Sequence, residues 1–561
     1  MKYIIIGSII FLTFLNVNAQ NIATGKKALE YLASDKLEGR EPGTKGGKLA
    51  REYIDQWFYD HWLGRFSFGY QQEFDINTDI KIDKSTSFTM SKNEAILNDD
   101  FSPFIFSAEK NLKAPLVYGG TDLTKKLVDI SGKWALIYLQ ADNDNAPGFR
   151  DIMDQVMTAR DQKAAGVIIV SQTNLTEDSE FFPFRFSRMA VSLDIPVVQI
   201  SRNYLNQLLL VSDLSLRKLR KWKVVKINEQ LKDVNIAANI KFDHIHTTTA
   251  NVASFIEGDQ SNDWIVVGAH YDHLGYGGYG SGSRVPDEIG IHNGADDNAS
   301  GVAMVLMMAE YFKKHPPKSN MAFVLFGAEE MGLLGSKYFV DNLPFPKEKI
   351  KAMVNFDMVG RVEDSVLKII GVNTATEFEL LLEQWNDPLK LSLGKGGYSG
   401  SDQAAFYAEN IPVLFLNSGL HDDYHKPTDD IEKINFEGME LVGQLAVKLL
   451  DSLTSPTYKV TFQKGKEKMA KGGRTTLKVK MGIMPDVAGA VKDGMAVDGV
   501  TSDGPADKAG VLKGDVIIQM GENKITNIYD YMHQLKKLEK GQTIKVIVKR
   551  GGENVELKVQ F

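Results

Sequence analysis

Five side chains of the types that bind divalent metal ions recur across the middle of this chain. They are His270, Asp297, Glu330, Asp357 and His425. Each lies at or near the end of an apolar run that has the pattern of a β-strand, or in the loop beyond it. Because open α/β sheets gather ligands beyond the carboxyl ends of their strands, we expect the five side chains to meet in one site. The pattern therefore predicts a hydrolase with two zinc ions.

The chain contains no cysteine. Disulfides, thiolate metal ligands and a thiol nucleophile are therefore excluded, and any metal must be held by imidazole and carboxylate. The net charge is −7 and no long basic run occurs. We expect no nucleic-acid partner.

The first residues carry one lysine, an apolar run from Tyr3 to Leu15, and small residues up to Ala19. This pattern predicts a secretory signal and export to the periplasm or the exterior. A membrane anchor is the alternative, but the run is shorter than the roughly 18 apolar residues that a span needs. We expect no membrane span after signal cleavage.

The elements that must position the five residues lie between Ala250 and Leu453, where apolar strands alternate with helices. This alternation is typical of a layered α/β domain. One helix is predicted from Ser300 to Phe312, with its methionines packed in the core. Strand signals dominate earlier, from about Phe101 to Leu210, and a compact β-rich unit follows from Leu477 to Phe561.

The motifs resemble those of the co-catalytic zinc aminopeptidases, which share a fold with glutamate carboxypeptidase, glutaminyl cyclase and the transferrin receptor. The motifs that carry the resemblance are AHYDH (269–273), GADDN (294–298), GAEEMG (327–332), NFDMVG (355–360) and DDYHKP (422–427). The resemblance implies a three-layer α/β/α peptidase domain with a mixed sheet. The strand-rich stretch looks like a protease-associated insert, and GPADKAG (504–510) with GDVII (514–518) resembles a PDZ domain.

The expected domain boundaries follow from these patterns. They are a signal peptide at 1–19, the N-terminal part of the peptidase domain at 20–100, the insert at 101–215, the di-zinc peptidase domain at 216–455, a linker at 456–474 and the PDZ-like domain at 475–561.

The resemblance also implies the role of each site residue. His270 and Asp357 are expected to bind one Zn²⁺, Glu330 and His425 the other, and Asp297 to bridge both. Two such ions lie about 3.5 to 4 Å apart and share a water whose pKa falls toward about 7. The resemblance makes Glu329 the general base. It makes Tyr424 the phenol that stabilises the oxyanion, unless Tyr424 is only a packed aromatic residue.

Asp272 follows His270 by two residues and so projects to the same side of a strand. We expect its carboxylate to fix the tautomer of the His270 imidazole; a surface aspartate is the alternative. Three further histidines, His273, His292 and His421, lie near the motifs but outside the ligand pattern. They are expected to form pocket wall or surface, with His292 an outside candidate for a ligand.

Whether such an enzyme cuts at the N-terminus or the C-terminus of a peptide depends on whether arginine side chains are present to hold a carboxylate. A carboxypeptidase needs guanidinium groups to hold a C-terminal carboxylate, and Arg361 is the only arginine between Asp357 and His425. An aminopeptidase is therefore favoured. A carboxypeptidase or dipeptidase remains the alternative, because other cationic side chains could hold a substrate carboxylate. They are Lys368, Lys390, Lys395, Arg185 and Arg188. The glycine-rich stretch from Gly275 to Gly282 is expected to form a mobile rim of the pocket.

The PDZ-like domain supplies a different class of function, a peptide-binding scaffold. Such domains bind an extended peptide as an added strand. We expect peptide substrates at the metal site and peptide or protein C-termini near Gly482. The neighbouring Met481, Ile483 and Met484 either line that site or belong to the core. Truncation before Leu477 is expected to leave the metal site folded.

Overall fold

The computed structural model describes residues 22–139, 148–171, 181–184, 192–211, 214–215, 218–219, 223–398, 400–465, 477–485, 493–501 and 503–561. The predicted signal peptide, Arg185, Arg188 and much of the predicted linker lie outside the described residues. Over those described ranges, no helix combines the length and the apolar character that crossing a membrane requires.

The five motifs lie in a domain built on an eight-stranded mixed sheet. In chain order its strands are β1 (Gln71–Ile82), β10 (Phe242–Ile256), β11 (Ser261–His270), β12 (Ser319–Phe326), β13 (Ile350–Phe356), β14 (Val366–Ile370), β15 (Lys390–Gly394) and β16 (Val413–Asn417). Their order across the sheet is β1-β10-β12-β11-β13-β16-β14-β15. The four central strands β12, β11, β13 and β16 run parallel. Their carboxyl ends therefore meet at one edge of the sheet.

Helices cover both faces of this sheet. They are α1 (22–32), α2 (Lys45–Asp60), α6 (Gly301–Lys314), α7 (Leu334–Asp341), α8 (Phe378–Glu383), α9 (Gln403–Ala408) and α10 (Phe436–Thr454). In β11, Ile265 and Val267 pack into the core on one face, while Val266 packs into the core on the other. Successive strand residues point to opposite faces, so a strand buried on both sides is apolar throughout. The predicted α/β fold with a mixed sheet is confirmed.

Helix α6 begins one residue later than predicted and extends two residues further, over Gly301–Lys314. Its methionines Met304, Met307 and Met308 are at most 3% exposed. They fill the core between the sheet and α10, as predicted.

A second eight-stranded sheet forms the insert. Its strands are β2 (Ser87–Met90), β3 (Asn93–Glu94), β4 (Phe101–Pro103), β5 (Lys110–Gly120), β6 (Trp134–Leu139), β7 (Gly166–Ser171), β8 (Val197–Ile200) and β9 (Asn235–Ile240), with helices α3 (Phe149–Asp161), α4 (Arg202–Val211) and α5 (Val224–Leu231). The predicted range 101–215 is too narrow, because β2 and β3 before it and β9 after it pair within this sheet. The strands β2 and β3 are short and partly polar, so their pattern alone did not separate them from the first part of the central domain.

The C-terminal unit has a six-stranded sheet and its own apolar core. Its elements are β17 (Ile483–Pro485), β18 (Met495–Val500), α11 (Pro505–Ala509), β19 (Val516–Met520), β20 (Asn523–Lys524), α12 (Ile528–Lys537), β21 (Thr543–Arg550) and β22 (Glu553–Gln560). This unit packs on the insert, where Arg160 binds the carboxylate of Asp530 at a distance of 3.1 Å from Nη2 to Oδ2. His533 Nε2 also lies 2.8 Å from Asp161 Oδ2.

Candidate metal centre

The parallel strands bring the predicted ligands to one edge of the central sheet. His270 is the last residue of β11, and Asp357 directly follows β13. The turn that holds Asp297 precedes α6, Glu330 follows β12, and His425 lies in the loop after β16. All five residues that the sequence placed together are therefore neighbours in space.

Asp297 lies between two pairs of these residues. Its Oδ1 is 3.4 Å from His270 Nε2, and its Oδ2 is 3.2 Å from His425 Nε2. On one side His270 Nε2 is 3.5 Å from Asp357 Oδ1. On the other side His425 Nε2 is 3.5 Å from Glu330 Oε1. The arrangement forms two half-sites with a carboxylate shared between them.

Hydrogen bonds to main-chain carbonyls orient both imidazoles. His270 Nδ1 donates to the Asp272 carbonyl at 3.1 Å, and His425 Nδ1 donates to the Gly282 carbonyl at 2.9 Å. A carbonyl oxygen accepts only, so Nδ1 carries the proton in each ring. Each Nε2 can therefore present a lone pair to a metal ion.

The carboxylates of this centre lie close together and are largely withdrawn from solvent. Burial raises the pKa of Glu329 well above its usual value, and the neighbouring charge of Glu330 adds to this effect. For Asp297, burial raises the pKa, but the rings of His270 and His425, when doubly protonated, also donate hydrogen bonds from Nε2 and hold the pKa well below normal. Asp357 Oδ1 is buried without a hydrogen-bond partner among the described residues. Buried anions need pairing or a metal, and this set of imidazole and carboxylate donors fits two divalent ions.

Asp272 supports the centre differently from the prediction. Its Oδ1 lies 3.9 Å from His270 Nδ1, too far for a hydrogen bond, and its main-chain carbonyl accepts that proton instead. The carboxylate accepts the main-chain N–H of Glu329 at 3.0 Å and that of Glu330 at 3.3 Å. The predicted contact between carboxylate and imidazole is therefore corrected, because β11 ends at His270 and strand alternation does not continue to Asp272.

His273 contributes more than the sequence indicated. It is fully buried, and its Nδ1 lies 2.9 Å from Glu330 Oε1. Potential ligand atoms of His273, Asp297 and Glu330 lie within 4.8 Å of one another, and so do those of His270, Glu329 and Asp357. The i, i+3 spacing of His270 and His273 was the available signal, but a surface position fits that spacing equally well.

A network of hydrogen bonds fixes the turn that carries Asp297. Asp429 Oδ2 accepts the main-chain N–H groups of Asp296 and Asp297, both at 3.0 Å. The Asp297–Asn298 peptide bond is cis. Asn298 Oδ1 accepts the N–H of Met358 at 3.2 Å, which connects this turn to the segment after Asp357.

The rim of the centre contains a stack of three side chains. The Tyr424 ring lies 3.9 Å from the His425 ring, and the Arg284 guanidinium lies 4.6 Å above the Tyr424 ring. Burial raises the pKa of Tyr424, and nearby carboxylates, beginning with Asp297, raise it further. Arg284 lies outside the two segments in which the sequence indicated a carboxylate-binding cation, the stretch between Asp357 and His425 and the insert.

Other predicted rim and pocket residues have defined partners. Arg361 Nη2 donates to Asp423 at 3.1 Å and to Asp429 at 3.3 Å, which ties this guanidinium to protein carboxylates. His292 is fully buried, with Nε2 2.9 Å from Ser283 Oγ. His421 Nε2 lies 3.2 Å from Asp296 Oδ2. The glycine-rich rim is held to the ligand loop, since Gly282 accepts a hydrogen bond from His425.

Two parts of the chain are similar to known protein families. The family model described as Peptidase family M28 matches residues 251–450, and the PDZ domain model matches residues 479–561. The chain is 31% identical over 199 residues to Aminopeptidase YwaD of Bacillus subtilis, covering 33% of this chain and 42% of that protein. It is 28% identical over 197 residues to Leucine aminopeptidase 2 of Trichophyton equinum, covering 33% and 37%. The chain thus spans less than half the length of these relatives. The solved structure of a zinc aminopeptidase from Bacillus subtilis aligns with a TM-score of 0.45 and 22% identity, covering 76% of this chain and 94% of that one.

Proposed function

We propose that this protein is an exported zinc exopeptidase that removes N-terminal residues from peptides, because residues 251–450 match the Peptidase family M28 model and residues 479–561 match the PDZ domain model. The observation that carries the proposal is the pair of half-sites that share Asp297. Export rests on the N-terminal sequence pattern.

The half-sites suggest which residues hold each zinc ion. His270 and Asp357 are proposed for one ion, Glu330 and His425 for the other, and both oxygens of Asp297 for the shared position. When bound, two zinc ions polarise a carbonyl group and lower the pKa of water. His273, through its contact with Glu330, orients that carboxylate toward the second half-site.

Glu329 is proposed as the general base. Its Oε2 lies 4.0 Å from His270 Nε2, so its carboxylate faces the first half-site. In this position it can accept a proton from the attacking water and pass that proton to the leaving amine. Asp272 holds the main-chain N–H groups of Glu329 and Glu330 together and so fixes the relative positions of the base and the neighbouring ligand.

Tyr424 is proposed to stabilise the oxyanion that forms when the peptide carbonyl is attacked. The phenol can donate a hydrogen bond to that oxyanion. The stacking of the ring between His425 and Arg284 restricts its position.

The direction of hydrolysis is tested with blocked peptides. We expect release of residues from a peptide with a free amine and an amidated C-terminus, and no release from the N-acetylated form. Mass spectrometry of the products identifies the end that is cut. Hydrolysis of the acetylated peptide from its C-terminus would contradict an aminopeptidase, and conversion of N-terminal glutamine to pyroglutamate would indicate cyclase activity.

The position of Arg284 favours a second candidate function, that of a carboxypeptidase or dipeptidase of the same fold. Its guanidinium is exposed at the rim and offers the bidentate geometry that a substrate carboxylate needs. For an aminopeptidase, Arg284→Ala should change kcat/KM by the same factor for free and amidated peptides. A loss confined to peptides with a free carboxylate would support the second candidate. Arg284→Lys keeps the positive charge but lacks the bidentate geometry of the guanidinium group, and it serves as the matched variant.

A peptide-binding scaffold without catalysis is the candidate from a different class. A PDZ domain binds peptides, and this role requires no metal. Measurement of zinc bound to the purified chain separates the two classes, because a scaffold has no need of the buried ligands.

A further inference from the structure

Arg40 is fully buried at the end of a short 3₁₀ turn, Asp35–Arg40, in the segment that precedes the insert. A charge without partners is costly to bury, so a buried guanidinium normally has several hydrogen-bond acceptors. The segment lies outside residues 251–450, which match the peptidase family model. Neither the five candidate ligands nor the proposed general base accounts for a buried cation at this position.

The guanidinium donates to main-chain carbonyls of two segments that carry candidate ligands. Arg40 Nε donates at 2.8 Å to the carbonyl of Tyr271, the first residue after β11. Arg40 Nη1 donates to the Asn293 carbonyl at 2.5 Å, and Nη2 donates to the Gly294 carbonyl at 2.9 Å. These two carbonyls directly precede the turn that carries Asp297. One side chain therefore connects the end of β11 to that turn.

The shape of the guanidinium makes this connection rigid. Its N–H donors project in a fixed planar fork, so the carbonyls that accept them are held at fixed distances from one another. A fourth hydrogen bond, from Nη1 to the Leu32 carbonyl at 2.6 Å, attaches the group to the end of α1. Burial lowers the pKa of Arg40 to about 10, although the nearby carboxylates of Asp297 and Asp272 oppose this shift. The group therefore remains charged at neutral pH.

The main chain of the same turn is also bonded to the segment after β11. The Arg40 carbonyl accepts the N–H of His273 at 3.4 Å, and the Gly39 carbonyl accepts the N–H of Gly275 at 3.1 Å. Glu38 and Arg40 have positive φ angles of 49° and 52°, a conformation that is costly for residues with a Cβ atom. A Cβ atom at Gly39 would lie 2.5 Å from the Gly275 carbonyl oxygen, so the close approach requires glycine. The turn is thus shaped to meet the ligand-bearing segment.

We propose that Arg40 is a positioning residue of the metal centre, whose guanidinium fixes the His270 segment relative to the Asp297 turn and so raises the affinity of the first half-site for zinc. His270 Nε2 and Asp297 Oδ1 lie 3.4 Å apart and must keep a spacing at which both bind one ion. Groups that orient metal ligands typically contribute about 10- to 100-fold to metal affinity. The inference rests on the proposed function, because it requires zinc at this centre.

A purely structural role for Arg40 is the alternative. In that case the side chain would only hold α1 against the central domain, and its loss would lower stability without changing the zinc affinity. The acceptors favour the positioning role. Three of the four carbonyls belong to the two ligand-bearing segments, whereas that of Leu32 belongs to α1.

The zinc affinity of the full chain is measured for Arg40→Met and Arg40→Lys by competition with a chromophoric chelator. Methionine donates no hydrogen bonds, whereas lysine keeps the charge without the planar fork. Leu449→Ala is the matched control, because it lowers stability by removing buried atoms of α10 in the same domain. Ser319 Oγ, at the start of β12, donates to the Thr454 carbonyl at the end of α10. This end of α10 therefore lies at the edge of the sheet opposite the metal centre.

We expect Arg40→Met to weaken the binding of at least one zinc ion about tenfold or more, where tenfold is equivalent to about 1.4 kcal/mol. The zinc-induced rise in unfolding temperature, followed by circular dichroism, should shrink with it. Arg40→Lys should fall between Arg40→Met and the unmodified chain. Leu449→Ala should lower the unfolding temperature with and without zinc and keep the zinc affinity.

Unchanged zinc affinity in both Arg40 variants, or an equal loss of affinity in Leu449→Ala, would overturn the proposal. If Arg40→Met does not fold, Arg40→Lys decides by the same two measurements. If the unmodified chain binds zinc and hydrolyses no peptide while the Arg40 variants weaken zinc binding, the proposed function fails and the positioning role stands. Turnover and zinc affinity that are both unchanged in the Arg40 variants would overturn the positioning role alone. An unmodified chain that binds no zinc would contradict both.

Discussion

Glu329→Gln is expected to lower kcat by about 10² to 10⁴-fold, the usual cost of removing a general base, while the variant keeps its fold and its zinc. Glutamine preserves size and hydrogen bonding but cannot accept the proton of the attacking water. The carbonyl of residue 329 still accepts the N–H groups of Gly332 and Leu333, and Asp272 still accepts the N–H of residue 329. Steady-state kinetics and elemental analysis of the same preparation measure the two effects separately.

Glu330→Gln is the matched control, because it makes the same chemical change one residue away. Glu330 lies 3.5 Å from His425 Nε2 and 2.9 Å from His273 Nδ1, so this variant should lose or weaken one metal ion along with activity. If Glu329→Gln loses zinc while Glu330→Gln keeps it, the two roles are reversed. Full activity of Glu329→Gln would contradict the mechanism.

Asp297→Ala is expected to lose both zinc ions and all measurable turnover. Its two carboxylate oxygens face His270 on one side and His425 on the other, so one substitution removes a ligand from each half-site. His425→Ala should chiefly weaken one ion, because His270, Asp357 and Asp297 remain on the other side. Inductively coupled plasma mass spectrometry gives the zinc content of each variant.

The control for charge removal is Glu363→Ala, which deletes an exposed carboxylate of the same domain. It should retain the zinc content and turnover of the unmodified chain. Two zinc ions retained by Asp297→Ala would contradict the shared position, and equal loss in Asp297→Ala and His425→Ala would show that the half-sites do not bind independently.

Three of the five candidate ligands, His270, Glu330 and Asp357, lie at or within a few residues of strand ends, which are a local signal in the sequence. Each of these apolar runs ends where its strand leaves the sheet, and the carboxyl ends of parallel strands meet at one edge of the sheet. The burial of the methionines of α6 was also predicted, because that helix is apolar on most of its faces. The short polar strand Ser87–Met90 lacks such a signal, and it belongs to the insert only through pairing with Asn235–Ile240, which is distant in the sequence.

Contacts between segments distant in the chain could not be predicted in the same way. The stacking of Arg284 on Tyr424 depends on a loop path that no periodicity records. For Asp272, spacing correctly placed the residue beside the centre, but which of its oxygens meets His270 depends on the turn after β11. One cavity is lined by residues of two domains, including Leu334 of the central domain and Met484 of the C-terminal unit. The sequence pattern of either domain alone does not show that the other domain lies against it.

Zinc content measured together with activity tests the central claim most directly. The purified chain is stripped with a chelator, and zinc is added in steps while release of the N-terminal residue from an amidated peptide is followed. We predict that the stripped protein is inactive and that full activity requires two zinc ions per chain. Full turnover by the metal-free protein, or saturation of activity at one ion with no second ion bound, would contradict the proposed di-zinc centre.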